Sequence, residues 1–431
     1  MPDPTFGYVT PENLALFTDR YELTMMQGYV ETGHEPAATF SLFFRKLPPD
    51  RGYLVAAGLE QIIACVEDLT FGDRAIAHLE AQGFHEGFLD RLADFEFSGD
   101  LRAVPEGTPV FPNEPLVEVT APIFEAQLLE TLFINQVGFP SLVATKAARM
   151  RDVIDRAGDG QSLVDFGSRR AHGTDAGMKA ARAAYVGGFD GTSNEAAAEA
   201  FGVPAYGTMA HSWIQSFPTE REAFEAFVDV YGEESILLVD TYDTREGTEL
   251  AMDVAEERGV DVAGVRLDSG DLVELSKEAS AILEAASIGA DGAADGGPGV
   301  FVSSGVDEYF LAEFLAAGGV ATGFGPGTSL TTSDDAPKLD AVYKLVAVQQ
   351  DGALAPSMKL SAGKVTYPGE KSVRRIEEGG EYVRDVLGRR REGGPGRELL
   401  VDVYRDGDLV YDLPSLDEVR DRRDREVGRL P

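Results

Sequence analysis

A single cysteine, Cys65, is all that 431 residues contain, so an intramolecular disulfide and a cysteine-based zinc site are both excluded and a reducing compartment is expected. No run of about 18 apolar residues occurs. The first residues, MPDPTFGYVTPEN, have neither the basic nor the apolar segment of a secretory signal, which makes the expected location cytoplasmic. Positive charge is also short, with 38 Lys and Arg against 74 Asp and Glu and a net charge of -36. That balance argues against a nucleic-acid partner, which would need phosphates neutralised, and against an anionic membrane face. Lysine is scarcer than arginine, and the acidic residues are spread along the chain rather than gathered in a tail. This pattern fits a protein kept soluble at high salt, where self-repulsion is screened within a few ångströms.

What is present is a sequence with 43% apolar residues, ample for a core and long enough for two or three domains. NLALFTDRYELTMMQGYV (13–30) has a helical period with Asp19 placed to cap it. ATFSLFF (38–44) reads as a strand, 54–66 as a helix, and FGDRAIAHLEAQGF and FHEGFLDRLADFEF as helical. Short strands with Gly and Pro turns fill 101–119 and suggest a small sheet domain. Two amphipathic helices, 124–138 and 142–157, are expected to bridge this domain to a second one.

From Gln161 onward apolar runs end in polar, glycine-rich turns and are mostly followed by helical segments: SLVDFGSRR, VGGFDGTSN, AYGTMAHSW, ILLVDTYDTR, VAGVRLDSGDL, VFVSSGVDE and VATGFGPGTSL. Such repetition predicts a parallel sheet or barrel with helices outside and with function at the C-terminal strand ends, where these turns fall. The segment 287–299 reads as a surface loop. After Tyr343 short strands return (YKLVAVQ, SMKLSAGKVTYPG, EYVRDVLG, LLVDVYRDG), so the sheet domain is expected to use both chain ends. The expected boundaries are 1–140 plus 345–431 for that domain and 141–344 for the barrel. The charged terminal stretch LDEVRDRRDREVGRLP reads as a solvated helix.

Of only five histidines, His211 follows Gly207, Thr208 and Ala210, which leave room for a ligand, and precedes Ser212 and Trp213, which could orient or wall one. Histidine changes roles near neutral pH, although a lone one can equally be a core or capping residue. The turn GPGT (325–328), with Ser329, offers backbone N–H groups and hydroxyls to a phosphate, or is merely a tight connection. Arg266 can pair bidentately with a carboxylate, and Asp268 and Asp271 could bind a metal or sugar hydroxyls; the alternative is a structural ion pair. Arg169 and Arg170 add positive charge to the same rim, which suggests an anionic ligand. Phe166 and Trp213 supply aromatic surface.

The stretches LFTDRYELTMMQGY, DFGSRRAHG, GTMAHSW, GVRLDSGDL, SSGVDE, GPGTS and VYKLV, in this order across nearly the whole chain, resemble nicotinate phosphoribosyltransferase. The resemblance implies the type II phosphoribosyltransferase fold: an irregular α/β barrel with a second α+β sheet domain built from both chain ends. It implies an ATP-coupled, ligase-type transfer of phosphoribose from 5-phosphoribosyl 1-diphosphate to nicotinate, giving nicotinate mononucleotide and diphosphate. By position, His211 resembles the histidine that becomes phosphorylated. Tyr21, Phe166, Thr208 and Arg266 resemble the nicotinate contacts, with Tyr21 and Phe166 on the two faces of the ring. Thr328, Arg169, Gly327 and Gly305 resemble ligands of the phosphoribosyl diphosphate, and Asp268 is the metal candidate. The implied cofactors are ATP and Mg2+, with no zinc and no covalently bound group. The implied assembly is a homodimer whose neighbouring N-terminal region closes each site. A nicotinamide enzyme of the same fold, or a catalytically silent binding protein, is the alternative. A quinolinate enzyme would need more cationic residues for two carboxylates and no such histidine.

The charge itself generates a prediction. Thermal unfolding followed in molar and in millimolar salt should show a lower Tm at low salt, because unscreened carboxylates then repel over a longer range. An unchanged Tm would remove the high-salt reading.

Overall fold

A computed structural model describes residues 8–287, 298–359 and 366–431. The chain divides into two compact units, Met1–Leu142 with Lys338–Pro431, and Val143–Pro337.

The first unit is built on a seven-stranded antiparallel sheet. At its centre, Ala37–Phe44 pairs with Val117–Pro122 on one side and with Ala341–Gln350 on the other, so strands from both chain ends form one sheet. Its run AATFSLFF is buried on both faces except at the first residue, as a central strand requires. Phe40 stacks on Tyr343 with centroids 4.9 Å apart, and the Tyr343 hydroxyl donates to the Ala126 carbonyl at 2.9 Å.

Several local expectations change in this unit. Asp19 occupies the N-cap of the helix Arg20–Thr32, but its carboxylate accepts from Thr131 Oγ1 at 2.7 Å and caps nothing. Residues 54–66 are not one helix: Leu54 and Val55 pair with Val110 and Pro109, and the helix is Leu59–Glu67. The two helices expected at 124–138 and 142–157 are a single one, Ile123–Ala157, with Pro140 inside it. Proline has no N–H for the carbonyl four residues back, here that of Gln136. Gly58, at φ 104°, lies against that carbonyl so closely that a Cβ would stand 2.0 Å from its oxygen. Only a residue without a side chain fits against this turn, and the Gly58 N–H donates to Glu106 Oε1 at 2.6 Å.

Toward the C-terminus, Lys371–Glu378 is a strand that its charged sequence KSVRRIEE conceals. It pairs with Glu381–Arg389, and its Lys371 and Arg375 are buried. Of the expected strand in SMKLSAGKVTYPG, residues 360–365 lie outside the described residues, and those on either side are irregular. The terminal helix Leu416–Val427 starts with a capping box of Ser415 and Glu418. It is not simply solvated, since Val419, Arg423 and Glu426 are buried.

The second unit carries a parallel sheet of β1 (Ser162–Asp165), β2 (Gly191–Thr192), β3 (Ile236–Leu238), β4 (Gly264–Leu267), β5 (Gly299–Ser303) and β6 (Gly323–Gly325). The spatial order is β2-β1-β6-β5-β4-β3. Helices alternate with the strands, among them Thr174–Val186, Thr244–Arg258, Leu272–Ser287 and Glu308–Ala316. Thr244–Arg258 shows how sequence fixes them: the Asp243 side chain accepts from the Glu246 N–H at 2.9 Å, Ala251, Met252, Val254 and Ala255 are buried, and Gly259 at φ 62° ends it. Of the expected parallel sheet or irregular barrel, the sheet with helices is formed, and among the described residues it is open, with β2 and β3 as its edges. AYGTMAHSW contributes only the bridge Ala205 to Thr192, because its glycine and polar residues provide no continuous apolar strand face. The loop expected at 287–299 falls largely on 288–297, outside the described residues.

Candidate active site

The apolar runs of the second unit stop where their chain leaves the sheet, and the polar residues beyond them converge at the C-terminal strand ends. Arg266 on β4 is flanked in register by Leu238 and Phe301. Its Nη1 donates to Thr208 Oγ1 and its Nη2 to the Met209 carbonyl at 2.9 Å. Nε is buried without a hydrogen-bond partner. Burial lowers the pKa of this guanidinium, nearby Asp268 and Asp240 oppose that shift, and Arg169 adds to it.

Asp240 follows β3 and holds this half of the site together. Its Oδ2 accepts from the Asp268 N–H at 2.9 Å and from Ser269 Oγ at 2.7 Å. Its Oδ1 is buried without a hydrogen bond and faces His211 Nε2 at 3.9 Å. On the other edge of the imidazole, Nδ1 lies 3.1 Å from Thr241 Oγ1. His211 opens the short helix His211–Gln215, directly after the extended segment that carries Thr208. Asp268 in turn accepts from Ser303 Oγ, at the end of β5, at 2.6 Å.

A second group of residues lies at β1 and β6. Asp165, 1% exposed, accepts from the Gly167 N–H at 2.8 Å and from Thr192 Oγ1 at 2.9 Å, and so shapes the turn that leads to Arg169. Burial raises its pKa, while these donors and Thr331 oppose the rise. Phe166 packs its ring on Gly325, where a Cβ would come within 2.4 Å of it, and its N–H donates to the Pro326 carbonyl at 2.8 Å. Gly327 and Thr328 begin the short helix Thr328–Thr332, and Ser329 Oγ donates to the Val306 carbonyl at 2.7 Å. Gly305 follows Ser304, whose φ of 74° is costly for a residue with a Cβ and marks a constrained loop.

The structure thus joins Thr208 to Arg266 by a hydrogen bond and Asp268 to Asp240, whose other oxygen faces His211, with Asp240, Asp268 and Arg169 close enough to act on Arg266 electrostatically. Phe166, Gly305, Gly327 and Thr328 sit at neighbouring strand ends. Tyr21 is not among them: it belongs to the first unit, on the helix Arg20–Thr32, 48% exposed, with burial and Glu130 raising its pKa. Trp213 donates to the Ala223 carbonyl at 3.0 Å and packs on Phe217 and Phe227. Asp271 is engaged at the start of the helix Leu272–Ser287, accepting from the Glu274 N–H at 3.4 Å. Sequence reasoning does not single out Asp240, Asp165, Thr241 or Ser303. For Asp240 and Asp165 a signal exists, a carboxylate directly after an apolar run in ILLVD and SLVD.

Comparison with known proteins places the chain in a family. Residues 16–138 match the nicotinate phosphoribosyltransferase N-terminal domain, and residues 161–390 match the nicotinate phosphoribosyltransferase family. The chain is 46% identical over 421 residues to nicotinate phosphoribosyltransferase pncB2 of Mycobacterium tuberculosis, covering 97% of this chain and 88% of that protein. It is 44% identical over 372 residues to the nicotinate phosphoribosyltransferase of Bacillus subtilis, 85% of this chain and 74% of that one. The crystal structure of human nicotinic acid phosphoribosyltransferase superposes with a TM-score of 0.84 at 30% identity, over 96% of this chain and 94% of the other.

Asp240 yields a test of the network. An asparagine there can keep its oxygen on the Asp268 N–H and Ser269 Oγ but loses the negative charge beside Arg266 and turns an NH2 toward His211, so Asp240→Asn should cost about 1–3 kcal/mol. Thermal unfolding should show Tm lower by several degrees; an unchanged Tm would mean that the second carboxylate oxygen is not needed.

Proposed function

Since the chain belongs to the nicotinate phosphoribosyltransferase family and catalyses that reaction in NAD biosynthesis, we propose that transfer of phosphoribose to nicotinate takes place at the strand ends of its second unit and is coupled to ATP. The observation that carries this reading is the Arg266–Thr208 hydrogen bond placed beside the Asp240–His211 pair. Arg266 meets the pyridine carboxylate, with Thr208 fixing the direction of the guanidinium and Phe166 offering a ring face. The loops containing Gly305 and Gly327–Thr328 take the phosphates of 5-phosphoribosyl 1-diphosphate through backbone N–H groups and the Thr328 hydroxyl, and Arg169 neutralises them. His211 is the phosphoryl acceptor: Thr241 holds Nδ1, and the Asp240 carboxylate, facing Nε2, favours the positive charge that develops on the ring.

Among the described residues no group of three or more His, Cys, Asp or Glu could hold a metal. Asp268, with the unpartnered Asp240 Oδ1 beside it, would suit a magnesium carried by polyphosphate and held by few protein ligands. Magnesium when bound neutralises phosphate charge. In the wider reading, the segment 203–210 completes an irregular barrel wall beside the open sheet. The enzyme is a cytoplasmic homodimer in which Tyr21 covers the pyridine ring of a neighbouring subunit, and its acidic surface is suited to high salt. No helix among the described residues is long and apolar enough to cross a membrane.

Two measurements test this. Incubation with γ-labelled ATP should leave an acid-labile, base-stable label that His211→Ala abolishes without loss of fold; a label persisting in that variant would move the acceptor elsewhere. A charge-assisted pair at Arg266 is worth about 1.5–3 kcal/mol, so kcat/KM for nicotinate should exceed that for nicotinamide by at least about tenfold. Equal efficiency with the two would overturn the role given to Arg266.

A further inference from the structure

Behind the two glycine loops lies a buried charge cluster that the reaction scheme does not use. Lys146, on the part of the long helix belonging to the second unit, has a side chain 1% exposed. Its Nζ stands 2.7 Å from Glu308 Oε2 and 2.9 Å from Asp335 Oδ1. One turn along the helix, Arg149 Nη1 is 2.7 Å from Glu308 Oε1 and 3.3 Å from Asp335 Oδ2, and Nη2 donates to the Tyr309 hydroxyl at 3.1 Å. Burial by itself would lower the Lys146 pKa, and its bonds to Glu308 and Asp335 outweigh this and raise it.

The two carboxylates are placed in a way that packing alone does not require. Glu308 is the first residue of the helix that leaves the Ser304–Gly305 loop, and Asp335 follows the short helix that begins at Thr328. A non-glycine residue in the left-handed region precedes each carboxylate, Ser304 at φ 74° in the first loop and Ser333 at φ 45° as the C-cap of the helix that begins at Thr328. Such conformations persist only where their surroundings over-determine them. The loops touch directly through Ser329 Oγ and the Val306 carbonyl, and Lys146 ties their far ends to one point.

We propose that Lys146 is a positioning residue that, through Glu308 and Asp335, sets the separation of the Gly305 and Thr328 loops and thereby the affinity for the diphosphate-bearing ribose substrate, not for the pyridine acid. The proposal rests on the assignment of these loops to phosphate. It follows from reach: a diphosphate and a ribose phosphate held by separate loops sense the spacing between them, and misplacement by about 1 Å can cost up to about 10²-fold. The Arg266–Thr208 bond lies on other strand ends and does not pass through this cluster.

Steady-state kinetics with each substrate varied in turn provides the test. Lys146→Met alone would strand buried carboxylates and lose stability for that reason, so the decisive variant is Asp335→Asn, which keeps the Lys146–Glu308 pair. It should raise KM for 5-phosphoribosyl 1-diphosphate about tenfold, leave KM for nicotinate and kcat within about twofold, and be largely rescued by Asp335→Glu. Lys146→Met combined with Glu308→Gln, which removes the anchor from the other loop without leaving a net charge there, should show the same split. If both KM values rise together, or neither moves, while Thr328→Ala still raises the KM for 5-phosphoribosyl 1-diphosphate, the positioning role is wrong and the phosphate loops stand. If Thr328→Ala also has no effect on that KM, the loop assignment fails and the proposal falls with it.

Discussion

A guanidinium held half-buried at the end of a parallel strand is the constraint on which the site depends. Arg266 loses hydration there, and the carboxylates of Asp240 and Asp268 must stand close enough to compensate. They do so because β3, β4 and β5 run side by side in register, so residues just past their ends come together. That register begins at glycines: a Cβ on Gly264, at φ 152°, would lie 2.0 Å from the Gly299 carbonyl oxygen. Close strand contact at one end thus supports the charge arrangement at the other. Asp240 makes the arrangement rigid by accepting from the β4 turn with one oxygen while the other faces His211.

The same logic recurs inside a chain with a large acidic surplus. Two of its scarce lysines are buried. In the second unit Lys146 is raised by two short carboxylate contacts. In the first unit Lys371 donates to Ser41 Oγ at 3.1 Å and to the Gly369 carbonyl at 3.0 Å, and burial pushes it down to about 8. The difference comes from partners, not depth: Lys146 has two carboxylates within 3 Å, and Lys371 is bonded to neutral oxygens with Glu118 acting from farther away.

Much of this is legible along the chain. The strand and helix beat after Gln161 and the return of strands after Tyr343 both come from apolar period and turn residues, which act over a few positions. Thr208, His211, Arg266 and Asp268 can be chosen because small or polar residues interrupt apolar runs there. The long helix reads as two because Pro140 normally ends a helix, and only the assembled structure shows that it continues. Lys371–Glu378 escapes a reading by pattern because its charges hide a strand whose Lys371 and Arg375 find partners elsewhere in the unit.

The sequence by itself determined most of the elements, their alternation and which polar residues fall at strand ends, since those are set by local propensity and by the side-chain types present. It also determined the family, through motifs kept in order. Tertiary structure alone decided which of these groups meet. The open order β2-β1-β6-β5-β4-β3 puts Asp240 between His211 and the β4 turn, and ties the two glycine loops through Lys146, a residue more than 150 positions before either carboxylate. Charge compensation falls off over a few ångströms in space and is indifferent to separation along the chain, so the pairing of buried charges becomes visible only when the sheet is assembled.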